Sequence, residues 1–179
     1  LDNVNIKGSI DFTRFFEPNY NLSVSSIKNR NIYIEAIPID LAGNIDSIDI
    51  SITGRDTINI FGLIEAIDAT IFHEFISEDI GSSLIYDEGV VMSYRLNIPI
   101  KGEGKFQNSQ VDAIMIGEIS LSKIGNQFWN IGGEVYIEDG SILSFKDNFN
   151  SLNGYVTFDN NGINPNMDLA ALTNISGEE

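Results

Sequence analysis

The chain has 179 residues, 42% of them hydrophobic, which is enough for a folded domain with a sizeable buried core. Ten basic residues face 26 acidic ones, and the resulting charge of −16 excludes the basic footprint that nucleic-acid binding needs and opposes docking onto anionic lipid headgroups. The absence of cysteine excludes disulfides, thiolate zinc sites and cysteine nucleophiles. No apolar run is long enough to cross a bilayer as a helix. The chain starts without Met or a leader, so we expect a segment excised from a longer protein.

Apolar and polar residues alternate with a period of two along most of the chain, which is the pattern of half-buried β-strands. The alternation runs through residues 45–52, 57–67, 94–100, 111–121 and 155–158, where β-branched residues are abundant. In the first of these runs Ile45 is out of phase with the isoleucines that follow it. The runs are separated by turn dipeptides, namely Gly43-Asn44, Gly125-Asn126, Asp139-Gly140, Asn153-Gly154 and Asn161-Gly162. About 11 to 14 strands are expected from the spacing of these turn dipeptides.

Two segments call for a more specific prediction. In "GGEVYIEDGSILSF", residues 132–145, Val135 and Ile137 alternate with polar neighbours before Asp139-Gly140, so we predict a hairpin that turns at that dipeptide. The stretch 73–84, "HEFISEDIGSSL", is the best helical candidate, and it could equally form a loop with one helical turn.

Internal similarity indicates a repeated strand unit. "IPIDLAGNIDSIDISI" from Ile37 resembles "IPIKGEGKFQNSQVDAIMI" from Ile98, and "GLIEAIDATI" from Gly62 resembles "GEVYIEDGSI" from Gly133. We therefore treat residues 1–179 as one β-repeat segment with weak repeats near 37–72 and 98–143, in which the second copy carries insertions.

Groups suited to catalysis are sparse. His73 is the only histidine, and a lone histidine in an apolar stretch is more often a packed or surface residue than a general base. Glycoside cleavage would need two opposed carboxylates, but on so acidic a chain such pairs arise freely in solvated loops. The acidic candidates are Glu74, Glu78, Asp79, Asp87, Glu88, Glu138 and Asp139. We expect no enzyme activity.

The sequence contains no complete motif for binding a cofactor or a ligand. "DNNGINPNMD", residues 159–168, has oxygen ligands but lacks the spacing and closing glutamate of an EF-hand loop. "GEGK", residues 102–105, lacks the first glycine and the Ser or Thr of a phosphate loop. Trp129 with Phe128 could stack on a sugar, although buried packing is the commoner role of such a pair. We expect no metal and no cofactor.

The stretch from Gly117 to Ala171 contains an ordered series of elements: "G-x-V-x-I-x-x-G-x-I-x-F", then "F-x-x-x-x-G-x-V-x-F", then Asn-Pro and an apolar strand. This series resembles the C-terminal region of the TamB family, the translocation and assembly module proteins of the AsmA-like group. An Asn-rich loop between Phe158 and Pro165 departs from the family pattern, and Phe145 stands one place late. The matching positions are Gly133, Val135, Ile137, Gly140, Ile142, Phe149, Gly154, Val156, Phe158, Asn164, Pro165, Leu169 and Ala170.

The resemblance implies an elongated, curved all-β sheet, a β-taco with an apolar trough and little helix. It implies a segment of a periplasm-spanning conduit that moves phospholipids between the inner and outer membranes and supports outer-membrane protein assembly. The implied location is the periplasm of a Gram-negative-type or spirochaete-like envelope, with the full-length protein anchored in the inner membrane. The implied partners are phospholipid acyl chains and an outer-membrane barrel protein of the assembly family.

Alternation suits this role, because one face of a sheet can be apolar while the other is acidic and wet. Acyl chains could then slide along branched side chains, each buried CH₂ contributing about 0.8 kcal/mol. The candidates for the groove lining are Ile48, Ile50, Ile52, Ile58, Ile60, Ile64, Met115, Ile119, Leu121, Val135, Ile137, Ile142, Val156 and Phe158.

Three alternatives remain open. A non-catalytic β-solenoid or sandwich, serving as a structural or adhesive surface module, would have a closed, dry and filled interior. An enzyme acting on polysaccharide would depend on the acids named above. A section of outer-membrane barrel is disfavoured, because a lipid-facing band must stay free of charge for about 25 Å. Open sheet edges at the ends of an excised segment predict self-association of the piece.

Overall fold

Ten β-strands make up most of the described chain. The computed structural model describes residues 4–27, 32–36, 41–72, 90–144, 147–162 and 164–173, and none of these residues is helical. The strands are β1 (Val4–Asp11), β2 (Asn19–Ser26), β3 (Ile32–Ala36), β4 (Leu41–Gly54), β5 (Thr57–Ile71), β6 (Val91–Gln107), β7 (Val111–Ile124), β8 (Asn130–Ser144), β9 (Asp147–Asp159) and β10 (Asn166–Thr173).

All ten strands belong to one open, curved sheet with the order β1-β2-β4-β5-β6-β7-β8-β9-β10. The remaining strand, β3, pairs with the first part of β4, whereas β2 pairs with its last part. Neighbouring strands are antiparallel except β5 and β6, which run parallel with Thr57 opposite Val91. The single curved sheet confirms the predicted fold class, while the apolar trough stays a prediction.

The parallel pair requires a crossover connection, because a tight turn can join only antiparallel strands. β5 ends at Ile71 and β6 begins at Val91. The predicted helix at 73–84 lies outside the described residues. Nowhere in the described ranges is there a helix long and apolar enough to cross a membrane.

The described strands are fewer and longer than the 11 to 14 that we expected. β6 has 17 residues, and β5 and β8 have 15 each. Of the similar segments, 62–71 lies within β5 and 133–142 within β8, whereas 98–116 spans the end of β6 and the start of β7. Several predicted turns therefore lie inside strands.

The predicted hairpin at 132–145 is wrong, because β8 continues through Asp139-Gly140 without turning. Gly140 lies opposite Ala113 of β7, and a Cβ at Gly140 would come within 2.6 Å of the Asp112 carbonyl oxygen. Glycine is needed there because the neighbouring backbone approaches closely. The dipeptides Gly43-Asn44 and Asn153-Gly154 likewise lie inside β4 and β9, whereas Gly125-Asn126 and Asn161-Gly162 connect strands as predicted.

Register shifts occur between several pairs of strands, and those beside Ile45 and Met115 change the phase of the alternation. The register of β4 against β5 shifts on both sides of Ile45, and this residue is only 1% exposed although it is out of phase in the sequence. A second shift, between Ile114 and Met115 of β7, lets β8 keep Ile137 and Ile142 on one face despite their odd spacing. A bulge inserts one extra residue, so the residues after it exchange faces.

The core is one apolar cluster that extends from β4 to β9. No polar or charged side chain is buried in the described part of the chain. The members of this apolar cluster are Ile45, Ile64, Ala66, Ala69, Ile98, Ile100, Ala113, Met115, Ile119, Leu121, Val135, Ile137, Leu152 and Val156.

Candidate functional site

One face of the sheet carries all fourteen predicted groove residues. Residues opposite each other in neighbouring strands point to the same face, so the register decides the face. Gly62 of β5 lies opposite Leu96 of β6, which in turn lies opposite Leu121 of β7, and this row links the two halves of the set. Other opposed pairs on this face are Ile48 and Ile64, Ile52 and Ile60, Met115 and Ile137, and Val135 and Val156. We call this surface the apolar face.

The fourteen residues differ in how far they are buried. Eight of them are only 4–9% exposed, namely Ile58, Ile64, Met115, Ile119, Leu121, Val135, Ile137 and Val156. The other six are half-buried, namely Ile48, Ile50, Ile52, Ile60, Ile142 and Phe158. The middle of the apolar face is thus packed in the isolated chain, and its margins remain accessible.

Seven buried residues belong to the same cluster but are missing from the predicted set, namely Ile45, Ala66, Ala69, Ile98, Ile100, Ala113 and Leu152. Ile98 and Ile100 of β6 lie between the candidates on β5 and β7, opposite Ile119 and Gly117. The alternation in "YRLNIPI" already contained the signal for both. Leu152 follows Ser151, whose φ of 54° breaks the regular alternation of β9, and the sequence gives no sign of that break.

The opposite face carries most of the charged residues, together with some apolar ones such as Leu63 and Ile116; we call it the polar face. Asp49, Glu118 and Glu134 occupy alternate positions to the apolar residues of β4, β7 and β8, and all three are exposed. The two faces of one sheet therefore differ as the alternation predicts, with apolar side chains on one side and carboxylates on the other.

An ion pair joins three strands of the polar face. The Lys101 Nζ lies 2.6 Å from a carboxylate oxygen of Glu65, and the Ser47 hydroxyl donates to the other oxygen at 2.6 Å. The hydrogen bond from Lys101, followed by the one from Ser47, lowers the pKa of Glu65 below its ordinary value. The same contact raises the pKa of Lys101. Both groups therefore stay charged near neutral pH. This is expected of a structural ion pair, whereas a proton-transfer group must change its charge.

Trp129 and Phe128 do not form a common platform for a sugar. Phe128 is 88% exposed, whereas Trp129 is half-buried against Tyr94, with ring centroids 5.4 Å apart. The Lys123 Nζ lies 5.4 Å from the Trp129 ring centroid. Trp129 therefore packs at the margin of the core, and Phe128 stands free beside it.

Of the remaining candidates for catalysis or ion binding, those that the structure describes do not form a site. His73, Glu74, Glu78, Asp79, Asp87 and Glu88 lie outside the described residues. Glu138 and Asp139 are adjacent exposed residues of β8, and the sequence "GEGK" is part of β6. In the 159–168 loop the Asp159 carboxylate accepts hydrogen bonds from Asn161. Across the described ranges, no three His, Asp or Glu residues form a metal-binding group.

A shallow depression lies near the start of β5. It is lined by Thr53, Asn59, Ile60, Phe61, Ser93 and Arg95, four of which have polar side chains. This depression is not an apolar groove, and it lies apart from the packed middle of the apolar face.

No protein-family model matches this chain, and no curated protein matches it. The resemblance to the TamB family therefore stays a prediction that is based on the motif order alone.

Proposed function

We propose that this chain is a segment of a conduit for phospholipids between the inner and outer membranes, with acyl chains held on the apolar face. The observation that carries the proposal is the continuity of that face. It extends across neighbouring strands from β4 to β9, and no second layer of sheet or helix covers it in the described chain. The proposal includes support of outer-membrane protein assembly and a periplasmic location, for which the resemblance to the TamB family is the support.

We infer that the apolar face is the concave side of the curved sheet. Side chains on a single-layered sheet stay in contact with water unless the sheet itself bends over them. The low exposure of Ile98 (1%) and Val135 (4%) supports bending toward the apolar face, because no second layer covers them in the described chain. An interior formed in this way can open along the ends of the strands without breaking hydrogen bonds between strands.

The dimensions suit acyl chains. A strand of about 15 residues is about 50 Å long, which is enough to bend around a chain a few ångströms wide. Eight spacings between neighbours in the main strand order, at about 4.8 Å each, give a wall about 38 Å long. Each methylene buried against this wall contributes about 0.8 kcal/mol, so binding grows with chain length and needs no specific anchor.

The charge distribution favours movement of a lipid along the apolar face over tight binding of the lipid at one position. The polar face, with Asp49, Glu118 and Glu134, keeps an apolar-rich sheet soluble. No buried polar side chain interrupts the described apolar face. An amphiphile on this surface therefore meets a smooth wall, and it can move along the wall with little change in free energy.

A second candidate is a non-catalytic structural or adhesive module with no lipid. The low exposure of the eight central residues favours it, because a dry, filled interior is what such a module needs. The two candidates differ in what the six half-buried residues at the margins contact. In the conduit they contact lipid, and in the module they contact only water and each other.

Native mass spectrometry of the purified chain, with lipid extraction of the same sample, tests the proposal. Two neighbouring residues of β5 provide a matched pair: Ile60 lies on the apolar face, and Phe61 lies on the polar face and is 43% exposed. We expect phospholipid adducts in the native chain and in Phe61→Asn, and their loss in the double variant Ile50→Asn/Ile60→Asn. All three proteins should keep the same β-sheet circular dichroism.

Two results would overturn the conduit. One is a chain free of lipid that also takes up no fluorescent phospholipid from vesicles, and it would leave the structural module. The other is equal loss of lipid in Phe61→Asn and in the apolar-face variant, because a specific acyl-chain surface must distinguish the two faces.

A further inference from the structure

One end of the sheet collects four connections between strands and the start of β6. Tyr20 lies opposite Gly54, Thr57 opposite Val91, and Ser93 opposite Ile124, so these strand ends lie along one side. The same register continues through β8, β9 and β10. We call this end the turn rim, and it comprises the described residues of 11–19, 54–57, 90–92, 123–130 and 159–166.

The turn rim carries phenylalanines whose side chains are largely exposed to solvent. Phe16 is 91% exposed, Phe128 is 88% exposed and Phe15 is 75% exposed. Phe15 and Phe16 touch only edge to face, with ring centroids 5.4 Å apart, at the tip of the β1–β2 loop. Other exposed apolar residues of the rim are Phe12, Val90, Val91, Met92 and Ile124. Larger exposed apolar patches mark contacts with a protein or a membrane, and Phe12, Phe15 and Phe16 bring three exposed rings together in one loop.

The turn rim is nearly neutral on a strongly acidic chain. It carries three cations against four carboxylates, a net charge of −1, whereas the whole chain carries −16. The Arg14 guanidinium lies 3.3 Å from the Glu17 carboxylate within the loop that bears Phe15 and Phe16. Arg55 lies 3.6 Å from the carboxylate of Asp11 at the base of the same loop. Charge repulsion from a lipid surface is therefore weakest where the phenylalanines project.

The exposed phenylalanines form two separate points along the rim. The β1–β2 loop and the β7–β8 loop are five strand spacings apart, or about 24 Å along the curved sheet. Single aromatic tips at separate points fit a fluid bilayer, which accepts each ring independently. A protein partner would need a matching pocket at each point.

We propose that the turn rim docks on a bilayer of zwitterionic phospholipid and inserts Phe15, Phe16 and Phe128 into the interface between headgroups and acyl chains. The strands then stand with their turn ends on the membrane, so the wall of this segment runs along the membrane surface and the open strand ends of the apolar face meet the lipid. This docking goes beyond the proposed conduit and is independent of it, because vesicle binding and acyl-chain binding use different residues.

Co-sedimentation of the purified chain with phosphatidylcholine vesicles tests the docking. The rim variant Phe15→Ser/Phe16→Ser/Phe128→Ser changes only exposed residues, so the sheet should fold normally. Leu143→Ser/Leu172→Ser is the matched control, because these leucines are 52% and 71% exposed on strands that end at the opposite side of the sheet. We expect the rim variant to lose at least about tenfold in partition coefficient and the control to match the native chain.

Depth of insertion supplies the second measurement. A tryptophan at position 16, in Phe16→Trp, should be quenched by lipids brominated in the acyl chains, beyond any quenching that the native Trp129 shows. Three outcomes would overturn the docking: no binding to any vesicle, which would leave a protein partner for the rim; equal loss in the rim and control variants; or binding that requires anionic lipid and survives removal of the phenylalanines. Lipid adducts in native mass spectrometry can persist in each of these cases, so failure of the docking is distinguishable from failure of the conduit.

Discussion

The middle strands and the outer strands of this sheet carry the same alternation but bury it differently. Ile137 of β8 is 7% exposed, and Val135 beside it is 4% exposed. Ile6 of β1 lies on the same apolar face, because it is opposite Val24, which is opposite Ile50, yet Ile6 is 63% exposed. At the other edge Met167 of β10 is 64% exposed.

The difference follows from position in the sheet. A middle strand has a neighbour on each side, and the side chains of both neighbours cover its own. An outer strand lacks one neighbour, so the same side chain meets water. Alternation therefore assigns a residue to a face, and the place of the residue in the sheet decides how much free energy its burial contributes.

The largest expected effect is that of truncating a middle-strand residue. Ile137→Ala should lower the free energy of unfolding by about 2–5 kcal/mol, because it leaves a cavity in a packed cluster. Ile6→Ala should change it by less than about 0.5 kcal/mol. Urea denaturation followed by circular dichroism measures both. Equal losses in the two variants would show that the middle and outer strands do not differ as described.

The two Asn-Gly dipeptides sharpen the comparison between strand interior and turn. Gly154 lies inside β9 with φ +136°, and a Cβ there would come within 2.1 Å of the Asp168 carbonyl oxygen. Gly162 lies in the loop and also has a positive φ, +95°, but no atom lies within 4 Å of such a Cβ. Gly154→Ala should cost about 1–3 kcal/mol, more than Gly162→Ala, in thermal unfolding. A larger cost at Gly162 would mean that backbone conformation outweighs contact with the neighbouring strand.

The outer strand β1 should mediate self-association of the isolated chain. Its outer edge presents backbone groups that no strand of the described sheet pairs. Ile6→Lys places a charge on this exposed strand, so it should weaken association while leaving stability within about 0.5 kcal/mol. Sedimentation velocity over a range of concentrations measures this. Unchanged association in Ile6→Lys, together with loss in a variant of β10 such as Met167→Lys, would transfer the role to the other edge.

The smallest effect concerns the ion pair on the polar face of the middle strands. The pKa of Glu65 is lowered by Lys101 and Ser47, so its stabilisation is present above the ordinary glutamate range and is lost as pH falls through the lowered value. The difference in Tm between the native chain and Glu65→Gln should therefore be small at neutral pH and vanish in acid. A difference that grows as pH falls would contradict this sign.

Much of the fold could be predicted from residue pattern. The alternation of Ile48, Ile50 and Ile52 with Ser47, Asp49 and Ser51 assigned both faces of β4 correctly. The parallel pairing of β5 with β6 could not be foreseen, because the pairing partner of a strand is not encoded in its own periodicity. Strand glycines such as Gly140 resemble turn glycines in sequence, and only the neighbouring backbone distinguishes them.

The pattern of residues predicted which face of the sheet each candidate residue lies on, but not how exposed its side chain is. Ile60 and Val135 obey the same pattern, yet the first is half-buried and the second is packed, because curvature is a property of the whole sheet. The bulge at Ile45 interrupts the period of two, so the alternation alone did not place Ile45 on the buried face. The phenylalanines of the turn rim had a readable signal, since "FTRFFEP" places three rings in a segment without alternation, where no strand can bury them.

Site-specific photocrosslinking tests the central claim, that the apolar face holds acyl chains, most directly. A benzoylphenylalanine would replace Phe158 or Ile60 on the apolar face, or Phe61 or Tyr155 on the polar face, in a chain incubated with labelled phospholipid vesicles. We predict lipid crosslinks at positions 60 and 158 that exceed those at 61 and 155 by at least about tenfold. Crosslinks that are absent from all four positions, or equal on both faces, would contradict the account.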